Sequence, residues 1–340
     1  MQKDEQKSIP DWVWAVLAVA VVGVTLLLFF SDQSPEPGPS LLYDVSEYEA
    51  VEADDVRYHE TARMAVDLEH PAGFAPDNAG GMWVVGDTVA LHLDAEGQEL
   101  SRHELDARPH CVAVAPTGRV YLGMRDHVAV MSDDGQQESW EALNERAWIT
   151  AIVADEDHVF VADAGNARVH RYSHAGELET VIGARDRERD VIGLVVPSHY
   201  LGMALDSMSA LWVVNPGKLG VEKYRADGAL LTEWHQPGFG LHQFPGCCNP
   251  IHIAFKSNGA LVTAEKGINR VKTFGPDRSF AGIVAAPEQL NTGWTAADFP
   301  ADPAPIRDLA VDDDDRILVL HGPLRTILIY EPKDTGKEAI

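Results

Sequence analysis

Three residues, Cys111, His252 and Asp308, offer a thiol, an imidazole and a carboxyl. These are donor types that hold a divalent metal, and three of them with one open position would suit a hydrolytic or lyase centre. They are far apart along the chain, so only a fold that returns distant segments to one level makes them a site. Other reactive or aromatic side chains stand just ahead of comparable apolar segments: His110, Trp148, His199 and Arg307. The loop from Phe244 to Pro250 ends just before His252 and holds the adjacent pair Cys247 and Cys248. Neighbouring cysteines close a vicinal disulfide only through a strained ring, which Gly246 and the turn-prone Asn249-Pro250 make feasible. Its reading is a rigid platform or a redox switch; the alternative is two small buried thiols. The sequence has no G-x-S-x-G, P-loop, G-x-G-x-x-G or H-E-x-x-H, and its 14 His follow no metal spacing. Three cysteines build no disulfide framework, and no C/H spacing suggests structural zinc.

The elements that must position these residues repeat. Five segments, starting at Pro71, Pro109, Ile149, Leu201 and His252, share one order: apolar strand, polar turn, second and third apolar strands, then a turn like D-x-x-G. A sixth starts at Ile306 and lacks its closing strand. Aligned at the first turn (Pro76, Pro116, Asp155, Asp206, Ser257, Asp312), the spacings are 40, 39, 51, 51 and 55 residues. The first two are propeller-blade lengths, and the others carry insertions near 184–196, 236–248 and 286–304. Arg57–Leu68 reads as a strand with nothing to pair with. If it supplies the missing outer strand of the sixth unit, the ring closes and no long sheet edge is left. A solenoid would need shorter, more uniform repeats. The expected fold is therefore an all-β, six-bladed propeller over residues 57–334, with a tail at 335–340.

In a propeller the first strand of each blade lines the central channel. Aligning those strands by apolar alternation puts Gly73, Cys111, Thr150, Gly202, His252 and Asp308 at one level, with His110, Trp148, His199 and Arg307 just ahead. The four acids Asp312–Asp315 read as a solvated turn, too short for a full calcium cage.

The third unit, VFVADAGNARVHRY at 159–172, resembles the NHL repeat, and LVTAEKGINRVKTF in the fifth keeps its Asn-Arg-Val core. The resemblance weakens in the second unit, where Met124-Arg125 replaces the acidic position. It implies a propeller more firmly than an activity, because NHL-type propellers include lyases, lactonases and binding platforms. In NHL-type lyases a channel metal sits on His from different blades, a pattern matched here only by His252 at that level. The resemblance also implies that Asp163, Arg168, Glu265 and Arg270, with Lys266 beside them, bond across blades.

Ahead of the repeats, residues 12–30 (WVWAVLAVAVVGVTLLLFF) carry no charge and end in Trp and Phe pairs. At about 1.5 Å per residue this matches a bilayer core of about 30 Å. No cleavage site or lipid-accepting Cys follows, so an uncleaved transmembrane helix is expected rather than a signal peptide. Lys3 and Lys7 place residues 1–11 in the cytoplasm and the rest in a periplasm or outside the cell, where oxidation of thiols is permitted. The Pro-rich, acidic 31–56 reads as a linker, with Leu41, Leu42 and Tyr43 as docking points.

The chain is 340 residues long, and 53 acids against 27 Lys plus Arg give a net charge of −26, which excludes nucleic acid as a partner. The leading expectation is a membrane-anchored docking platform for another protein, as part of a membrane complex. The alternatives are a channel lyase or hydrolase using a divalent metal, and a redox partner acting through Cys247 and Cys248.

Overall fold

The computed structural model describes residues 12, 16, 46–132, 135–294 and 304–333. Met1–Val45 forms a unit of its own, of which only Trp12 and Val16, both helical, are among them. The expected membrane helix, the first part of the linker and the tail therefore lie outside the described residues. Among the described residues no helix is long and apolar enough to cross a membrane. From Ser46 onward the linker is folded rather than extended. A helical turn at Ser46–Glu49 stacks Tyr48 on Phe239 with ring centroids 4.7 Å apart.

Six four-stranded antiparallel sheets follow. An initial strand β1 (Tyr58–Ala65) precedes the first blade, β2 (Pro71–Pro76), β3 (Met82–Gly86), β4 (Val89–Leu93) and β5 (Glu99–Glu104). The second blade is β6 (Cys111–Val114), β7 (Val120–Gly123), β8 (Val128–Met131) and β9 (Gln137–Ser139). The third is β10 (Ile149–Ala154), β11 (His158–Asp163), β12 (Arg168–Ser173) and β13 (Leu178–Ile182). The fourth is β14 (Met203–Leu205), β15 (Leu211–Asn215), β16 (Gly220–Tyr224) and β17 (Leu230–His235). The fifth is β18 (His252–Phe255), β19 (Leu261–Glu265), β20 (Arg270–Phe274) and β21 (Phe280–Ala285). The sixth has only β22 (Ile306–Val311), β23 (Ile317–His321) and β24 (Thr326–Pro332) of its own. Its outer strand is β1, paired from Tyr58↔Pro332 to Ala65↔Thr326 with a bulge at Thr61. The expected closure by the amino-terminal strand is thus present, and it leaves β24 without an open edge.

Sequence grammar explains the blades. The second strands of each blade are runs of β-branched and aromatic residues buried along nearly their whole length, as strands covered on both faces must be. Outer strands such as β5 and β17 are mostly exposed. Tight turns are closed by the acid that opens them: Asp206 accepts the N–H groups of Met208 and Ala210, and Asp312 those of Asp314 and Arg316. The tetra-acidic stretch is accordingly an Asx turn, with Arg316 Nε 2.7 Å from Asp312 Oδ2.

The core is not central. It lies in six apolar clusters, one between each neighbouring pair of blades. Each fully buried Val, Leu or Ile there contributes about 1.5–3 kcal/mol, so the blades hold one another and the middle is left for a channel.

Candidate functional site

The register of the inner strands reproduces the level expected from alternation. Gly73 pairs with Val85, His252 with Ala264 and Asp308 with Leu320, each one step from the end of the second strand, while Cys111 pairs with Gly123 at the end itself. Thr150 falls in a bulge, so Ala151 takes the paired place opposite Ala162. Two glycines let the inner strands crowd here. A Cβ on Gly73 would stand 3.1 Å from Cys111 Cα and 3.2 Å from Asp308 Oδ2, and one on Gly202 would stand 3.1 Å from His252 Cα.

Above this level opens a cavity of about 1100 Å³. It is lined by His110, Trp148, His199, His252 and Arg307, so five of the residues singled out in the sequence meet there. Trp148 is the centre of an aromatic stack. Its ring lies between the imidazoles of His110 (4.9 Å between centroids) and His199 (4.5 Å, planes 13° apart). The Arg125 guanidinium approaches the same indole at 5.8 Å. Local bonds fix the stack: Trp148 N–H donates to Asp163 Oδ1, and Trp148 C=O accepts from Ala164 N–H. His110 Nδ1 stands 3.2 Å from the carbonyl of Ile149, which only accepts, so Nδ1 carries the proton and Nε2 the lone pair. Burial pushes His110 below the ordinary imidazole range, with Arg108, Arg125 and His199 adding to the effect.

His252 and Asp308 meet below the stack. His252 Nδ1 is 3.6 Å from Asp308 Oδ1, an ion-pair distance rather than a hydrogen bond. Asp308 accepts the N–H groups of Phe74 and Leu309, joining the sixth blade to the first. Burial outweighs those two bonds and pushes its carboxyl up to about 7.

Cys111 does not complete a metal set. Its sulfur fills the space over Gly123, where an added Cβ would lie 2.3 Å away, within the apolar cluster of Tyr121, Ile149 and Ile152. Burial, then the Asp308 carboxylate, push its thiol far above the ordinary range, so it is no thiolate at neutral pH. Among the described residues, the one trio of His, Cys, Asp or Glu with ligand atoms all within 4.8 Å is Glu222, Glu233 and His235 in the fourth blade. The Lys218 ammonium already sits 2.8 Å from Glu222 there. Cys111, His252 and Asp308 are thus not a trio of that closeness among the described residues, and of the three it is His252 and Asp308 that stand as a pair.

Cys247 and Cys248 lie beside the cavity without lining it. They are free thiols with sulfurs 3.2 Å apart, Cys247 exposed and Cys248 buried. Burial pushes the Cys248 thiol up, opposed by the Ser198 hydroxyl and the Lys266 ammonium. Their loop has a structural task that the sequence did not show. The Asn249 side chain bonds both N–H and C=O of Lys266, as a neighbouring strand would. That sets Lys266 on the cavity wall, its ammonium 4.3 Å from the Tyr200 ring centroid. Tyr200 and Ser198, which line the cavity, follow the 184–196 insertion, and the 236–248 insertion runs into the cysteine loop beside it.

The charged residues of the repeat motif bond mainly within their own blades, although Arg270 also donates to Gly240 in the segment between the fourth and fifth. Asp163 accepts Trp148 N–H, Asn166 N–H and Asn166 Nδ2, with His170 Nε2 3.4 Å away. These donors outweigh burial and hold it down to about 2. Arg168 donates to the Asn166 carbonyl. Glu265 pairs with Arg270 (2.5 Å) and Lys272, all three fully buried on adjacent strands of the fifth blade. Such partners are nearest across the antiparallel ladder, at Glu265↔Arg270 and Asp163↔Arg168. An unforeseen network of the same kind surrounds Glu222 in the fourth blade, bonded by Asn215, Lys218 and Tyr224.

The sequence matches no protein-family model and no curated protein, so the NHL resemblance has no family match behind it. Solved structures share the fold. Virginiamycin B lyase from Staphylococcus aureus superposes with a TM-score of 0.55 at 13% identity, over 81% of this chain and 100% of that one. A gluconolactonase from Xanthomonas campestris gives 0.54 at 15% identity, over 81% and 99%. A protein of unknown function from Bacteroides thetaiotaomicron gives 0.57 at 13%, over 81% and 72%. At these identities the likeness is one of architecture, and the chain is a six-bladed β-propeller similar in fold to a lyase and a lactonase.

Proposed function

We propose that the channel mouth is the active site of a small-molecule enzyme, a lyase or hydrolase working by proton transfer. The observation that carries this reading is His252 in the wall of a deep cavity, with the half-buried carboxyl of Asp308 3.6 Å behind it. A carboxyl raised toward neutrality beside an imidazole is the arrangement general acid–base catalysis needs. The enzymes among the fold's neighbours support the reaction class; they say nothing of the substrate. The reading routes the proton transfer through imidazole and carboxyl, the pair that the channel brings together. A docking platform rests on the acidic surface and anchor alone, while the cavity gives a small molecule a specific place. The reading keeps the 12–30 segment as an uncleaved anchor, which puts the propeller in the periplasm or outside the cell.

The test is turnover of a panel of lactones and cyclic esters by the full chain. At least one member is hydrolysed or eliminated, and His252→Ala lowers kcat/KM by about 10²-fold or more with little change in Tm. A panel left untouched, or turnover indifferent to His252→Ala, returns the propeller to the docking reading. Protease added to spheroplasts should remove the propeller from a chain that sediments with membranes. A mature chain starting near residue 31 would overturn the anchor.

A further inference from the structure

The whole chain has nearly two acids for each Lys or Arg. The cavity reverses this. Among the described residues its wall holds Arg108, Lys266 and Arg307 and one carboxylate, Glu69, together with four imidazoles, and the Asp308 carboxyl stands 3.6 Å from one of them, His252. Arg108 enters the second blade, Lys266 follows β19 in the fifth and Arg307 lies in β22 of the sixth, so the three cations are not one basic patch of sequence. One of the imidazoles, His70, is already matched by Asp87 at 2.9 Å.

Two of the cations are held in place by the fold. Lys266 is fixed through its backbone by Asn249 and through its ammonium by the Tyr200 ring. Arg307 precedes Asp308 in a bulge of β22 and lies along the backbone of Gly322. A Cβ on Gly322 would meet Arg307 Cγ and Nε at 2.6 Å, so the missing side chain is what gives Arg307 its path. These two cations flank His252 and Asp308 on the fifth and sixth blades.

We infer that the site takes an anionic small molecule, a carboxylate or a phosphate ester, whose charge is received by Lys266 and Arg307 beside His252. This rests on the channel mouth being a small-molecule site and adds the class of molecule. A guanidinium fork and an ammonium on the wall of one recess can together receive an anion. In a protein of net charge −26, a recess carrying cations draws an anion away from an otherwise acidic chain.

The experiment is calorimetric titration of the full chain with matched probes: gluconate against glucono-lactone, glucose 6-phosphate against glucose, and inorganic phosphate alone. The anion of a pair should bind at least tenfold more tightly than its neutral mate, with affinity falling as salt rises. Lys266→Met with Arg307→Met should remove that preference and leave neutral probes unchanged. Gly322→Ala keeps every charge and moves Arg307, so it should weaken the anion severalfold, and it reads the same point if the double variant does not fold. A preference for glucose 6-phosphate over gluconate assigns the phosphate, and the reverse the carboxylate. Equal binding of anions and neutral mates, no binding of any anion, or anion affinity untouched by both variants overturns the inference. The two readings fail separately: turnover with no preference for anions overturns this inference alone, and anion binding without turnover of any substrate overturns the proposed reaction alone.

Discussion

The carboxylate of Asp163 accepts the backbone N–H of Trp148 at 3.0 Å, tying the acidic position of the third repeat to the aromatic centre of the cavity. A residue expected to brace neighbouring blades instead sets the geometry of the binding wall. His170 and Asn166 complete its surroundings. Its carboxyl is held down to about 2, so its stabilisation is complete above the ordinary Asp range near 4 and is lost as pH falls from there through about 2. Asp163→Ala should cost about 2–3 kcal/mol at pH 7 by leaving buried donors unsatisfied, and shift Trp148 fluorescence. Urea unfolding at several pH values checks this: the gap between variant and wild type should close toward pH 2. A constant gap would mean that packing, not charge, makes the difference.

Asp308 predicts the opposite slope. Its folded pKa is raised to about 7, above its unfolded value near 4, so the folded chain holds the proton more tightly between those values. Stability from this group is fully present below pH 4 and declines as pH rises through about 7. Asp308→Asn should therefore gain on wild type across that window, by as much as about 4 kcal/mol, measured as the difference in unfolding free energy at pH 4.5 and pH 8. A difference that stays flat refutes the raised carboxyl. Activity of the same variant should lose its pH dependence near neutrality.

The fold was legible because its grammar is local: alternating apolar strands, acid-opened turns and spacings of 39 or 40 residues recur in the first units. Closure by β1 and the level of Gly73, His252 and Asp308 followed from the same alternation. Partner choice did not. Whether Glu265 meets Arg270 in its own blade depends on ladder register, and whether Cys111 faces channel or core depends on a neighbouring glycine at 123. The cavity wall is built from the entries to the blades, such as residues 197–202, whose sequences carry no repeat.

Ring closure has a direct consequence. A chain beginning at Glu69 lacks β1, whose Met64 packs in the cluster between the sixth and first blades. It leaves β24 as an open, apolar edge. Such a chain should aggregate, or melt far below one beginning at Ser46. Equal melting temperatures for the two would show that β1 adds nothing to the ring.

The Glu265–Arg270–Lys272 group is fully buried, and its members are unequal. Glu265 faces two cations, so Glu265→Gln strands both and should cost about 3–5 kcal/mol. Lys272 lies 4.7 Å from the Phe244 ring centroid and 5.3 Å from that of Phe274, and burial pushes its ammonium down to about 8. Lys272→Met keeps Arg270 on Glu265 and suits the aromatic walls, so it should cost far less. Denaturant unfolding of both variants at pH 7 decides; equal losses would mean that the group acts as an indivisible unit.

The cysteine loop gives the most local prediction. Cys247 is exposed while Cys248 and Cys111 are buried, and burial pushes both of the latter thiols up. The raised, buried thiols of Cys248 and Cys111 are poor targets, and access favours attack at Cys247. Iodoacetamide should therefore alkylate the native, reduced chain once, at Cys247, and the unfolded chain at all three cysteines. Mass spectrometry of peptides from each sample reads the outcome. A native chain that takes up no label until reductant is added holds the vicinal disulfide, and equal labelling of Cys248 would refute the burial difference. Because Asn249 links this loop to the Lys266 backbone, a bulky label on Cys247 should also weaken binding in the cavity, whereas Cys247→Ser should not. That contrast distinguishes a loop that shapes the cavity wall from one that merely passes near it.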